Sequence, residues 1–388
     1  MSQRQRWIIT IGCFLSYVLF GLVDNIKGPT VPVILSETGY AYSAGGMIVL
    51  SEYAGFFLAT FLAGVIADIL GKKSTLILAG GCLIFGVTGY AASSDMILLS
   101  SFIFFIGLGL GSLELSGSNI ISELYHQKKG RYLNLLNAFY GIGAVITPML
   151  AGYYLGNGGS WRSFYRYSLL VIVPVTIYFI IMRYPGRKKG EEQSEKINIK
   201  EMIQVIAKKE MLLMYLVVFS YVAAEIGMAT WMVDFLQNDK QLPVMTSSLY
   251  LSGLFIGMTI GRLLGSLFVD RIGHMRSLLI FLSLAAVCIV LGTFGTSRMA
   301  VILALTGFFY SIVFPTATAV MSEVALKKSG TVLGLFLACG GIGGMIGPWL
   351  IGIVNDVMGL KAGMMMNAVY CLVAAGVMAN LMKMRKSI

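Results

Sequence analysis

The sequence predicts an all-α integral membrane protein of twelve transmembrane helices, arranged as two pseudo-symmetric six-helix bundles. Three observations predict it. Of the 388 residues, 57% are apolar and only 12% are charged, against roughly 25% charge in a soluble domain. The charges fall in short patches between apolar stretches long enough to cross a hydrocarbon layer about 30 Å thick, which takes roughly 20 helical residues. Finally, the first half of the chain is written again in the second.

The apolar stretches lie near 8–34, 43–67, 74–94, 97–122, 132–155, 164–184, 210–236, 245–269, 275–295, 299–323, 329–354 and 361–382. A polar stretch at 185–209 separates the sixth from the seventh. The net charge of +11 would suit a nucleic-acid partner, but its distribution argues otherwise. With the N-terminus placed inside, most Lys and Arg fall on inner segments. The outer loops hold only Arg162, Arg166, Lys240, Arg298 and Lys361. That asymmetry is the positive-inside rule, and it predicts a multi-pass plasma-membrane protein with both termini cytoplasmic. The bilayer, not nucleic acid, is the expected partner. The first apolar run is too long for a signal peptide and no small-residue cleavage site follows it, so it reads as a retained span.

The five cysteines (Cys13, Cys82, Cys288, Cys339, Cys371) fall inside spans without metal-ligand spacing, and read as free thiols packed as small apolar groups. Both histidines, His126 and His274, fall in inner loops. No metal site, no cofactor and no catalytic Ser/His/Asp or Cys/His set is expected, so the chain does not read as an enzyme.

The repeat sets the domain organisation. "SELYHQKKG" at 122–130 matches "SEVALKKSG" at 322–330, and "GIGAVITPMLAG" at 141–152 matches "GIGGMIGPWLIG" at 341–352, both offset by 200. "GVIADILGKK" at 64–73 matches "GSLFVDRIGH" at 265–274, with Asp68 against Asp270. Matches that include charged loop residues indicate two homologous halves: a bundle at 1–184, a cytoplasmic linker at 185–209 and a bundle at 210–388. Two such halves are the design of an alternating-access transporter.

The loop after the second span, Gly64, Asp68, Gly71, Lys72 and Lys73, resembles the signature loop of the major facilitator superfamily. The second copy keeps Asp270, Arg271 and Gly273 but has Ser266 at the first glycine position. The small residue permits close helix approach, while Asp68 and the following lysines can bond across inner helix ends as a conformational latch. Plain topological anchoring by Lys72 and Lys73 is the simpler reading. Arg262, two turns before Asp270, can join the latch by pairing with an acid, or form a static pair.

A charge at mid-bilayer costs about 2.5–3.5 kcal/mol on insertion scales, so each intramembrane ionisable group is a functional candidate. Six stand out: Asp24, Lys27, Glu52, Glu114, Glu225 and Arg262. At 1.5 Å of rise per residue, Asp24, Glu114 and Glu225 come out near the middle of spans one, four and seven. In span four, Gly107, Gly111, Glu114, Gly117 and Ser118 recur at three- and four-residue steps, a stripe that reads as presenting the carboxylate to a cavity. With no base nearby in sequence, Glu114 can carry a proton or accept sugar hydroxyls; pairing with a base on another span is the alternative.

Asp24 and Lys27 are three apart, on one helix face, just before Pro29 and Pro32. Asp24 can be the coupling proton site tuned by Lys27. Lys27 can instead bind an anionic substrate group, or the two can form a stable ion pair. Glu52 stays undecided. In span seven, Tyr221, Glu225, Met228 and Met232 share a face beside Trp231, and in span five Asn137, Tyr140, Gly141 and Ala144 do the same. Aromatic faces beside carboxylates and amides suit sugars, although aromatics in membrane helices commonly just pack.

"GLGLGSLE" ending at Glu114, "LNLLNAFYGIGA" at 133–144 and "YVAAE" at 221–225 resemble the fucose–galactose–glucose:proton symporter family. That resemblance implies sugar and proton sites at Asp24, Glu114 and Asn137. Tyr140 stands where the fucose-specific pattern has asparagine, Glu225 where it has glutamine, and Lys27 is not part of the pattern. The expectation is therefore a proton-coupled importer of a monosaccharide or related polyol, working as a monomer. Asp24, Glu114 and Glu225 would handle protons, and Asp24, Lys27, Glu114, Asn137, Tyr140, Tyr221, Glu225 and Trp231 would bind solute. A proton-driven exporter of drugs or metabolites and an importer of anionic sugars are the alternatives.

Overall fold

A computed structural model of the chain describes residues 2–182, 184, 208–324 and 329–386. Among the described residues there are fourteen α-helices and two short 3-10 turns. In chain order the helices are α1 (Gln3–Asp24), α2 (Lys27–Thr38), α3 (Tyr42–Leu70), α4 (Lys72–Ala92), α5 (Met96–Leu124), α6 (Lys129–Gly156) and α7 (Trp161–Ile181). There follow α8 (Lys209–Asn238), α9 (Val244–Ile272), α10 (His274–Phe294), α11 (Ile302–Tyr310), α12 (Val313–Val324), α13 (Ser329–Met358) and α14 (Leu360–Lys386). A helix satisfies its own backbone polar groups, which is what hydrocarbon demands of a spanning segment. Eleven described helical stretches are long and apolar enough to cross a membrane, with α1 and α2 counted as one and the 3-10 turn, α11 and most of α12 as another. The span expected at 43–67 corresponds to α3, which is not among the eleven.

Local signals set several helix starts. Asp95 Oδ1 accepts the backbone N–H groups of Ile97 at 2.9 Å and Leu98 at 3.2 Å to begin α5, and Ser160 caps α7 through Arg162 N–H. Each satisfies donors that a helix leaves open at its first turn. The turns from α3 to α4 and from α9 to α10 fold on Gly71 (φ 87°) and Gly273 (φ 90°), equivalent positions of the repeat in a backbone region that side chains rarely enter.

The chain divides into two compact units. The first comprises Met1–Lys188 with Leu242–Ser252, and the second Lys189–Gln241 with Gly253–Ile388. The segment Leu242–Ser252, which the repeat counts with the second half, groups with the first unit: Ser252 Oγ donates to Val145 O at 2.8 Å on α6. Most of the expected linker, 185–209, lies outside the described residues.

Within the first unit α3 packs on α5, α5 on α4, α4 on α7 and α1 on α6. Within the second, α8 packs on α13 and α14, and α10 on α14 and α11. The repeat is visible in atomic contacts. A Cβ on Gly107 would meet Glu52 O at 1.9 Å, and one on Gly307 would meet Leu254 O at the same 1.9 Å. Likewise a Cβ on Gly143 would meet Val18 O at 2.6 Å, and one on Gly343 would meet Phe219 O at 2.2 Å. Glycine thus lets helix backbones touch in both copies. These contacts fix the correspondence of the halves: Glu52 matches Leu254, and Asp24 and Lys27 match Glu225 and Met228.

Candidate functional site: a buried charge cluster

The first unit gathers ionisable groups where α1 gives way to α2. Pro29 has no N–H to continue the hydrogen-bond ladder, and the helix breaks at Asn25 and Ile26, with Ile26 N–H turning back to Val23 O at 3.3 Å. Asp24 therefore ends one helix and Lys27 begins the next. Lys27 Nζ donates to Asp24 Oδ1 at 2.5 Å. It also lies 2.9 Å from Glu52 Oε2, brought in by α3, and 4.8 Å from the centre of the Tyr53 ring. Apart from this ion pair, no donor reaches the buried Oε2 of Glu52 among the described residues. Asp24 (8% exposed), Lys27 (4%) and Glu52 (3%) are all withdrawn from the surface.

The second oxygen of Asp24 is held from α6: Tyr140 Oη donates to Asp24 Oδ2 at 2.8 Å. Asn25 Nδ2 lies 3.4 Å from the same hydroxyl and donates to Gly21 O at 2.9 Å. This contact needs α1 and α6 close together, and Gly21 supplies the room, since a Cβ there would lie 2.1 Å from Tyr140 O. Phe20 packs between the rings of Tyr140 (4.7 Å between centroids) and Phe56 (5.9 Å). The cluster thus has an aromatic wall as well as acids.

Glu114 sits on α5 with a half-buried side chain. Its backbone oxygen accepts Tyr17 Oη at 3.1 Å and Ser118 Oγ at 2.9 Å, while Asp24 lies within electrostatic reach of the carboxylate. The glycine stripe around it serves a purpose different from the one expected. Gly107 and Gly111 face the backbone of α3 at Glu52 and Phe56, and Gly117 faces Tyr17 on α1. The stripe is a packing seam. Asn137 is exposed, its Nδ2 donating to Leu133 O at 3.0 Å.

In the second unit Glu225 on α8 is half-buried, with Tyr221 in electrostatic reach of it and of Arg262. Tyr221 and Trp231, expected to bind solute, lie in the packed interior at 1% exposure. Tyr221 Oη donates to Tyr310 O at 3.0 Å and Trp231 Nε1 to Pro348 O at 2.8 Å. Their polar atoms tie α8 to α11 and α13, so both rings belong to the core. Asp234 was not singled out from the sequence, yet it is buried on α8 and accepts Asn238 Nδ2 at 2.8 Å.

Of the expected latch, Gly71 forms the turn, Lys72 pairs with Glu123 at the end of α5, and Lys73 Nζ donates to Ile180 O at 2.7 Å on α7. These lysines staple helix ends together within the first unit. Arg262 and Arg271 are exposed. The side chains of Asp68 and Asp270, and the surroundings of Gly64, lie outside the described residues.

What sequence reasoning missed is Glu52 as the second partner of Lys27. The two are 25 positions apart, and no spacing rule joins them. The repeat held the signal: an acid in one copy stands where the other has leucine.

A multi-pass helical membrane protein in two related halves, with acids buried in its spans, is the class this architecture defines. The chain belongs to the Major Facilitator Superfamily, a family of transporters, matching it over residues 13–296 and 236–386. It is similar to Protein TsgA of Shigella dysenteriae, 22% identical over 96% of this chain and 94% of the relative. Among solved structures it is similar to the nucleoside transporter NupG (TM-score 0.78, 17% identity, 98% of this chain and 99% of that one). It is also similar to the Escherichia coli fucose:proton symporter FucP (TM-score 0.63, 18% identity, 97% and 98% coverage). At these identities the likeness speaks for the fold.

Proposed function

We propose that the protein is a proton-coupled secondary transporter that imports a monosaccharide or related polyol by alternating access, on a twelve-span plan in which α3 is the remaining span. The observation that carries the reading is the cluster of Asp24, Lys27, Glu52 and Tyr140: two buried carboxylates share one buried ammonium. Such a group is costly in hydrocarbon, so it is kept for ion or solute movement. The likeness to a fucose:proton symporter and a nucleoside transporter supports a hydroxyl-rich solute. In this reading Glu114 accepts solute hydroxyls beside Asn137, Tyr140 and the Phe20 ring, and Glu225 is the acid of the second unit. Tyr221 and Trp231 act by packing.

Lys27 as a receptor for an anionic sugar is disfavoured, because its ammonium is enclosed and held by two carboxylates. The test is sugar-dependent proton uptake into proteoliposomes across a panel of hexoses, pentoses and polyols. A sugar that alkalinises the outer medium on entry supports symport. If no member of the panel moves protons or exchanges in counterflow, the proposed substrate class is wrong. Protection of cells from toxic compounds without sugar uptake would instead establish the exporter.

A further inference from the structure

The buried cluster has an unequal charge count. Asp24 and Glu52 supply two negative charges and Lys27 one positive, and all three side chains are withdrawn from the surface. The groups that face Glu52 from other elements add no second cation. Among the described residues they are Asp24 and Lys27 from α1 and α2, Tyr90 from α4 and Tyr165 from α7, while Glu114 from α5 acts on Asp24. A buried, uncompensated carboxylate in low dielectric is relieved most simply by one proton.

The hydrogen bonds decide which carboxylate takes it. Asp24 accepts a donor on each oxygen, Lys27 Nζ at 2.5 Å and Tyr140 Oη at 2.8 Å, so both its oxygens are already engaged as acceptors. Glu52 has only the shared ammonium, 2.9 Å from Oε2, and no second donor reaches that oxygen among the described residues. We infer that Glu52 is the proton-carrying carboxylate of the cluster, with Lys27 a positioning residue that both acids share. A proton from water forms an O–H bond on Glu52, and the cluster passes from a net charge of −1 to zero. Lys27 stays an ammonium and its pairing shifts wholly to Asp24. On release the proton returns to water and Lys27 is shared again.

The assignment deepens the proton-coupled reading of the same site, and rests on that reading only for its consequence in transport. Infrared spectroscopy of the purified protein in lipid, titrated over pH without substrate, isolates the assignment itself. The expected result is a carboxylic C=O band that titrates in the wild type, vanishes in Glu52→Gln, shifts in frequency in Glu52→Asp, and keeps its frequency in Asp24→Glu and Glu114→Gln. The Asp variant guards against a misfolded Gln variant. No titrating band, a band surviving Glu52→Gln, or one that moves with Asp24→Glu instead would overturn the assignment. In proteoliposomes Glu52→Gln is expected to keep substrate counterflow and lose accumulation driven by a pH gradient, whereas full accumulation would contradict the inference. Were no sugar carried at all while the infrared pattern held, the substrate reading would fall and the assignment of Glu52 would stand.

Discussion

The two halves of this chain share a scaffold and differ in charge. Where the first unit has Asp24, Lys27 and Glu52, the second has Glu225, Met228 and Leu254. The backbone contacts beneath these side chains are matched, down to the 1.9 Å clearance at Gly107 and Gly307. The difference is therefore one of chemistry laid on a common frame. The second unit shows that the frame stands without the ion cluster, which argues that the first unit keeps its charges for work and not for stability.

Substitutions that push one unit toward the other sharpen this comparison. The largest effect is expected for Lys27→Met, which installs the second unit's residue and leaves two carboxylates facing each other. Breaking a buried pair this way costs about 3–5 kcal/mol, read as a lowered Tm in detergent. Adding Glu52→Leu, which completes the second unit's pattern, is expected to restore most of that loss. A double variant as unstable as the single one would mean that the halves do not share a frame.

Next comes Tyr140→Phe, which removes a hydrogen bond to a charged acceptor worth about 1.5–3 kcal/mol and should weaken solute binding in counterflow. Gly107→Ala and Gly307→Ala each drive a methyl into a carbonyl of the facing helix. Overpacking of this kind costs about 1–3 kcal/mol, and the two variants should lose similar amounts if the copies are equivalent. Tyr221→Phe breaks only a neutral hydrogen bond, worth about 1 kcal/mol, and should leave substrate affinity unchanged; a large affinity loss would return Tyr221 to the solute site. The smallest change is expected for Lys72→Met, since an ion pair near the surface contributes about 0–1 kcal/mol.

The comparison also shows what a sequence reveals and what it hides. The helical class was legible because hydrocarbon imposes length and composition on every span, and the repeat because Gly71 and Gly273 occupy a backbone region that glycine tolerates. The pairing of Asp24 with Lys27 was legible because residues three apart in a helical pattern lie side by side, and the break at Asn25 and Ile26 leaves the two in contact. The partnership of Lys27 with Glu52 was hidden, because contact between α2 and α3 depends on tertiary packing with no fixed spacing. The glycines around Glu114 were misread for a related reason: small residues mark close approach, and only coordinates tell whether a helix or a void stands opposite. Tyr221 and Trp231 show the same limit, since an aromatic on a polar face reads alike whether its hydrogen bond goes to a solute or to a backbone carbonyl.

The central claim is that movement of solute is tied to protons through the acid cluster of the first unit. Simultaneous recording of solute uptake and internal pH in proteoliposomes, for the wild type and Asp24→Asn, tests it most directly. The account predicts matched solute and proton entry in the wild type, and a variant that no longer concentrates solute against a gradient. An Asp24→Asn protein that accumulates solute as the wild type does, with the same acidification inside, would contradict it.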